Sequence, residues 1–170
     1  MVEIRPFEDG DAALVEDLFV RVNRELAPPD MREAFEAYIA RSLAEEMGRI
    51  AEYYQEHGGG FWVARQNDRI AGMFGLERCA SDAMELRRMY VDRLARRTGL
   101  GRAMLRYAEA ECRRRDVRRV ELSTSELQPA ALALYKSEGY RLMREASADR
   151  SSNKTVGGGI LRYYFEKDLA

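Results

Sequence analysis

A chain of 170 residues with 46% hydrophobic content can bury one sizeable core and leaves little for a second. Two cysteines, Cys79 and Cys112, are too few for a disulfide framework. A single histidine, His57, gives a zinc site or a histidine-centred triad almost nothing to draw on. The net charge is −1 but unevenly spread: Met1 to His57 carries 14 acidic and 6 basic residues, whereas Arg87 to Arg119 carries 12 arginines against 4 acids.

That asymmetry predicts an anionic ligand near the middle of the chain and a cationic one near its start, although solvated helix faces would carry the same charges. The arginines are not interleaved with stacking aromatics, so a nucleic-acid partner is not expected. No apolar run approaches membrane length and Val2-Glu3-Ile4-Arg5 carries no leader-like pattern, so no membrane is expected and the cytoplasm is the expected location.

In chain order, Val2 to Pro6 reads as a strand, and a helix starts at Gly10-Asp11 with Leu14, Leu18 and Val22 at helical spacing. Pro28-Pro29 breaks it. Asp30 can cap a second helix, running through Phe35, Ile39, Leu43, Met47 and Ile50 until Gly58-Gly59-Gly60. Strands follow at Phe61 to Gln66 and Ile70 to Arg78, joined by the turn-prone Asn67-Asp68. The next strand covers Arg87 to Val91 and begins near Met84. Gly99 to Arg115 is an amphipathic helix with its stripe at Leu100, Met104, Ala108 and Cys112. Val117 to Thr124 is a strand, Pro129 to Ser137 a helix stopped by Gly139, and Tyr140 to Arg144 and Ile160 to Glu166 are final strands around a polar loop. The order is that of a mixed α/β domain, with no internal repeat or linker.

The most informative stretch is Arg96-Arg97-Thr98-Gly99-Leu100-Gly101, followed by Arg102, where two glycines open a helix directly after an apolar strand. Glycines let backbone approach a ligand closely, unpaired N–H groups of the first helical turn point at an anion, and the arginines add charge. A packing turn would also need such glycines. The wider context decides, because the stretch resembles the Arg/Gln-x-x-Gly-x-Gly/Ala pattern of the GNAT superfamily of acyl-coenzyme A N-acyltransferases. A second block, Ala131-Leu132-Ala133-Leu134-Tyr135-Lys136-Ser137-Glu138-Gly139-Tyr140, is similar to the same family's A-x-x-L-Y-x-x-x-G-F segment, with Tyr140 for the usual phenylalanine.

The resemblance implies one N-acetyltransferase domain over residues 1–170, built on a GNAT-like mixed, mostly antiparallel sheet flanked by helices. It implies acetyl-CoA as cosubstrate, with the backbone of Met89, Tyr90 and Val91 beside the pantetheine and Arg96, Arg97, Thr98, Gly99, Leu100, Gly101 and Arg102 around the pyrophosphate. Gln128 stands where relatives carry a pantetheine-contacting asparagine. Tyr135 matches the tyrosine near the thioester sulfur and could protonate the departing thiolate, unless it only packs. Glu85 matches a glutamate that serves several relatives as base, with Glu77 and Glu121 as rivals. No metal and no cysteine nucleophile are implied.

The implied activity is transfer of an acetyl group to a primary amine, of a small molecule or a protein, by direct attack in a ternary complex; a homodimer is compatible with it. A non-catalytic acyl-CoA-binding or regulatory module would keep the same coenzyme loop. The acid-rich first third predicts a cationic acceptor entering between Asn23 to Pro29 and the central strands, with Glu25 at the mouth.

Overall fold

The computed structural model describes residues 1–169. Seven strands form one sheet: β1 (Glu3–Pro6), β2 (Gly60–Gln66), β3 (Arg69–Ala80), β4 (Ala83–Val91), β5 (Arg119–Ser125), β6 (Arg141–Ala148) and β7 (Ile160–Asp168). They lie in the order β1-β2-β3-β4-β5-β7-β6, antiparallel except where β4 runs parallel to β5. Five helices flank them: α1 (Ala12–Leu26), α2 (Arg32–Ser42), α3 (Ile50–Glu56), α4 (Leu100–Arg114) and α5 (Pro129–Ser137).

The sheet separates two apolar layers. Side chains alternate across a strand, so β2 sends Phe61 and Val63 toward α1–α3 and Trp62 and Ala64 toward α4. On the α4 face, the helix buries Leu100, Met104, Leu105, Ala108 and Cys112 against Phe74, Leu76, Met84 and Val120. This is the predicted stripe of α4, and it fixes how the glycine loop meets the sheet.

The first third departs from the sequence reading. The single helix expected from Asp30 to Gly58 is three pieces: α2, a π-helical stretch over Leu43–Met47, and α3 after a break at Gly48-Arg49. Asp30 does not cap α2, because it lies in a 3₁₀ turn over Pro29–Met31 and Met31 precedes the helix. The widened turn keeps Met47 in the core while also turning Glu46 inward, fully buried. A period of three to four residues cannot express that insertion.

Candidate active site

The site begins with a failure of pairing. Strand β4 meets β5 over only three pairs, Ala83↔Arg119, Met84↔Val120 and Glu85↔Glu121, and the strands then diverge. From Leu86 onward the β5-facing edge of β4 has backbone N–H and C=O groups without a strand partner. On its other side β4 bulges against β3: Met73 faces Tyr90 and Gly75 faces Arg87, so Arg88 and Met89 share one opposing residue. Arg88 takes up the distortion in the left-handed region, with φ +56°.

Two clefts meet at this gap. The wider, about 620 Å³, runs from β4 to the glycine loop and α5. The narrower, about 110 Å³, lies between α1, α2, β5, β7 and the loop before β7, and both are lined by Met89, Tyr90 and Gln128.

Helix α4 opens on Gly99, whose φ of +84° follows a left-handed Arg97 at +64°. The first intrahelical acceptor serves Ala103, whose amide donates to the Gly99 carbonyl at 3.0 Å. The amides of Arg97 to Arg102 therefore have no acceptor among the described residues, and the positive end of the helix dipole lies behind them. Met89, Tyr90, Val91, Arg96, Arg97, Gly99, Leu100, Gly101, Arg102 and Gln128 all line the wider cleft. Thr98 does not, since its hydroxyl donates to the Ala95 carbonyl. Glu25 also lines this wider cleft, paired with Arg96 at 3.1 Å, and so stands apart from the narrower one.

In the narrower cleft Tyr135 is 5% exposed and lines the wall. Its hydroxyl has no partner among the described residues, yet it is not sealed off, because the only sealed side-chain atom without a partner is Arg162 Nε. Burial pushes the phenol above its ordinary value, Tyr90 adds to this and Arg162 opposes it, so Tyr135 keeps its proton at neutral pH. Of the three candidate carboxylates, only Glu85 lines this cleft, and Lys154 Nζ holds it at 2.9 Å. Glu77 is buried. Burial pushes its carboxyl up, but Tyr53, Arg87 and Lys154 outweigh that and hold it below its ordinary range. Glu121 pairs with Arg119 at 3.0 Å, outside the cleft.

Beneath the cleft lies a network that the sequence reading did not anticipate. Arg88 donates to both oxygens of Glu46, at 3.0 and 2.9 Å, to the Tyr38 hydroxyl at 2.7 Å and to the Asn153 carbonyl. Arg87 reaches Glu46 at 3.0 Å and Glu77 at 3.3 Å. Burial pushes the Glu46 carboxyl up, but the two guanidiniums hold it below its ordinary range. Burial likewise raises the Cys112 thiol to about 12, and burial with Glu121 and Glu85 raises Cys79 to about 11, so neither is a thiolate at neutral pH. No group of three or more His, Cys, Asp or Glu side chains among the described residues could hold a metal, and no helix there is long and apolar enough to cross a membrane.

The sequence profile described as "Acetyltransferase (GNAT) family" matches residues 6–140. The chain belongs to the GNAT family. As a GNAT protein it resembles human N-acetyltransferase 8, with 30% identity over 110 residues, covering 61% of this chain and 48% of that protein. Human N-acetylaspartate synthetase shares 33% identity over 118 residues, 66% of this chain and 38% of that protein. The chain thus spans about half or less of the curated relatives it matches. Among solved structures, the GNAT fold here superposes on the PaiA N-acetyltransferase of Thermoplasma acidophilum in complex with coenzyme A, with TM-score 0.75, 17% identity and 99% of each chain covered. The ribosomal-protein-S18-alanine N-acetyltransferase of Escherichia coli gives TM-score 0.71 at 19% identity, over 100% of this chain and 95% of that one.

Proposed function

We propose that this GNAT protein transfers an acetyl group from acetyl-CoA to a primary amine by direct attack with both bound. The observation that carries the reading is the gap between β4 and β5, where a cleft ending in unpaired amides meets a second cleft holding Tyr135 and Glu85. The amides of Arg97 to Arg102 would receive the pyrophosphate and the free edge of β4 the peptide-like pantetheine, as an added strand would be received. In the reaction the amine nitrogen bonds to the acyl carbon, the carbon–sulfur bond breaks, the amine gives up a proton and the thiolate gains one. Tyr135, protonated and unpartnered, is the donor. Glu85, once the incoming ammonium competes with Lys154 for it, accepts through water the proton the ammonium loses before attack, and the second proton lost from nitrogen on acylation offsets the one Tyr135 gives the thiolate.

Thiol release from acetyl-CoA with a pooled amine library tests the reading. The small volume of the second cleft and the Lys154 pair on Glu85 also suit an acyl-CoA-binding module without turnover, and binding without any thiol release would select that reading. Tyr135→Phe keeps the ring and the packing, and is expected to retain coenzyme affinity while slowing thiol release by about 10²- to 10⁴-fold. Full activity across pH would reduce Tyr135 to a packing residue. Glu85→Gln is expected to flatten the acidic limb of the kcat/KM profile; an unchanged limb would mean that the amine arrives already neutral.

A further inference from the structure

Four cationic side chains line the narrower cleft: Arg87, Arg88, Lys154 and Arg162. Three of them are matched. Arg88 pairs with Glu46, Arg87 with Glu46 and Glu77, and Lys154 with Glu77 and Glu85. These three positive charges meet three carboxylates, so the network is neutral as a unit. Arg162 has no carboxylate within ion-pair distance among the described residues, and its one hydrogen bond is from Nη2 to Ser123 Oγ at 2.9 Å. Its Nε is sealed without a partner, while Nη1, which also has no partner among the described residues, is not sealed and can be reached by a ligand.

A guanidinium carries five N–H donors in a fork matched to a carboxylate, and a cleft wall is an unfavourable place to leave them unmet. The position of Arg162 narrows what could meet them. It stands on β7 opposite Ser125, one strand beyond the gap, and lines the narrower cleft together with Ser123, Ser125 and Tyr135. Its charge is felt at the Tyr135 phenol in the same cleft. Glu85, Tyr135 and Arg162 line one cleft of about 110 Å³, which leaves an anion held by Arg162 little room to lie far from an amine held by Glu85.

Resting on the acetyl-transfer reading above, we propose that Arg162 binds a carboxylate of the acceptor, on the carbon next to the amine, so that the acceptor class is α-amino acids. This replaces the purely cationic acceptor expected from the acid-rich first third of the chain, since Glu25 lies on the coenzyme side. The acceptor's ammonium still faces Glu85, the one carboxylate lining the cleft.

The test measures thiol release at saturating acetyl-CoA with the twenty L-amino acids, their amides and the matched amines lacking the carboxylate. The same compounds are titrated calorimetrically into the protein holding coenzyme A. The intact protein is expected to prefer the best acid over its amide and amine by about 10- to 100-fold in kcat/KM, the range of a charge-assisted hydrogen bond. Arg162→Met should abolish that preference, chiefly through KM, by lowering kcat/KM far more for the acids than for the amides and amines; Arg162→Lys should restore part of it. Equal use of acids, amides and amines by the intact protein overturns the proposal and leaves acetyl transfer standing, as does an equal loss for all three in Arg162→Met. Arg162-dependent binding of acids with no thiol release supports the carboxylate site and overturns only the catalytic reading. Neither binding nor turnover with any compound overturns both.

Discussion

Gly101→Val is expected to weaken acetyl-CoA binding by about 10- to 100-fold in a protein that still folds, the loss of one or two charge-assisted hydrogen bonds. Gly101 is the second residue of α4 and its φ is not left-handed, so valine meets no backbone prohibition there. What it meets is space. A Cβ at Gly101 would lie 3.3 Å from Leu134 Cδ2 and 3.9 Å from Val91 Cγ2, so one methyl nearly fits. The two further methyls of valine must press into α5 or into the cleft, over the amides that have no acceptor. Gly101→Ala should therefore keep most of the affinity. Calorimetric titration with a melting curve on each variant checks this, and equal affinity in a folded Gly101→Val would remove the pyrophosphate from the loop. Gly99 is the poorer probe, because at φ +84° a branched side chain strains the turn itself.

Glu46→Gln is expected to cost about 3–5 kcal/mol, the usual effect of removing one partner from a buried charged set. Glu46 is fully buried and is the shared partner of Arg87 and Arg88, while also receiving the Tyr54 hydroxyl at 2.6 Å. Glutamine keeps the shape and leaves two guanidiniums with one charge too few. The melting temperature should fall by roughly 6–20 °C, at about 2–4 °C per kcal/mol for a chain of this size. The sign of the pH dependence follows from the carboxyl being held below its ordinary range in the fold. Its contribution is complete above the unfolded-state pKa and fades as pH falls from about 5 toward the folded value. Glu77 and Asp11 are lowered too and add to the same acid loss. Denaturant melts of both proteins at pH 7 and pH 4 check this: the gap between them should narrow at pH 4, and a gap independent of pH would show that Glu46 is not charged in the fold.

Much of this architecture is legible in the chain because periodicity and turn chemistry are local. The stripe of α4, the glycines that open it and the apolar runs of β2 to β5 all lie where residue spacing places them. The polar half of the site is not local. Glu46 is passed over by a periodicity that runs through Leu43, Met47 and Ile50, and no spacing announces the π-helical stretch in which it is buried. Arg87-Arg88 reads as part of a strand from near Met84 to Val91, and the spacing does not show the bulge against β3 or the burial of both guanidiniums. Asn153 and Lys154 lie in what reads as a polar spacer between strands. They reach Arg87, Arg88, Glu77 and Glu85, some 65 to 77 residues away. Arg162 is unremarkable in sequence, since what distinguishes it is the lack of a counter-charge, and that is visible only when every neighbour is placed.

The three-pair junction between β4 and β5 has a mechanical meaning as well. It divides the sheet into a four-stranded and a three-stranded leaf that share a short seam at one end, like a book bound over a fraction of its spine. A molecule lying in the open part completes the binding, and whatever holds it there also holds the leaves together. By mass action, a ligand at a hundred times its dissociation constant adds about 2.7 kcal/mol to the folded state. The stability of the fold then follows the concentration of such a ligand as well as the chain's own contacts.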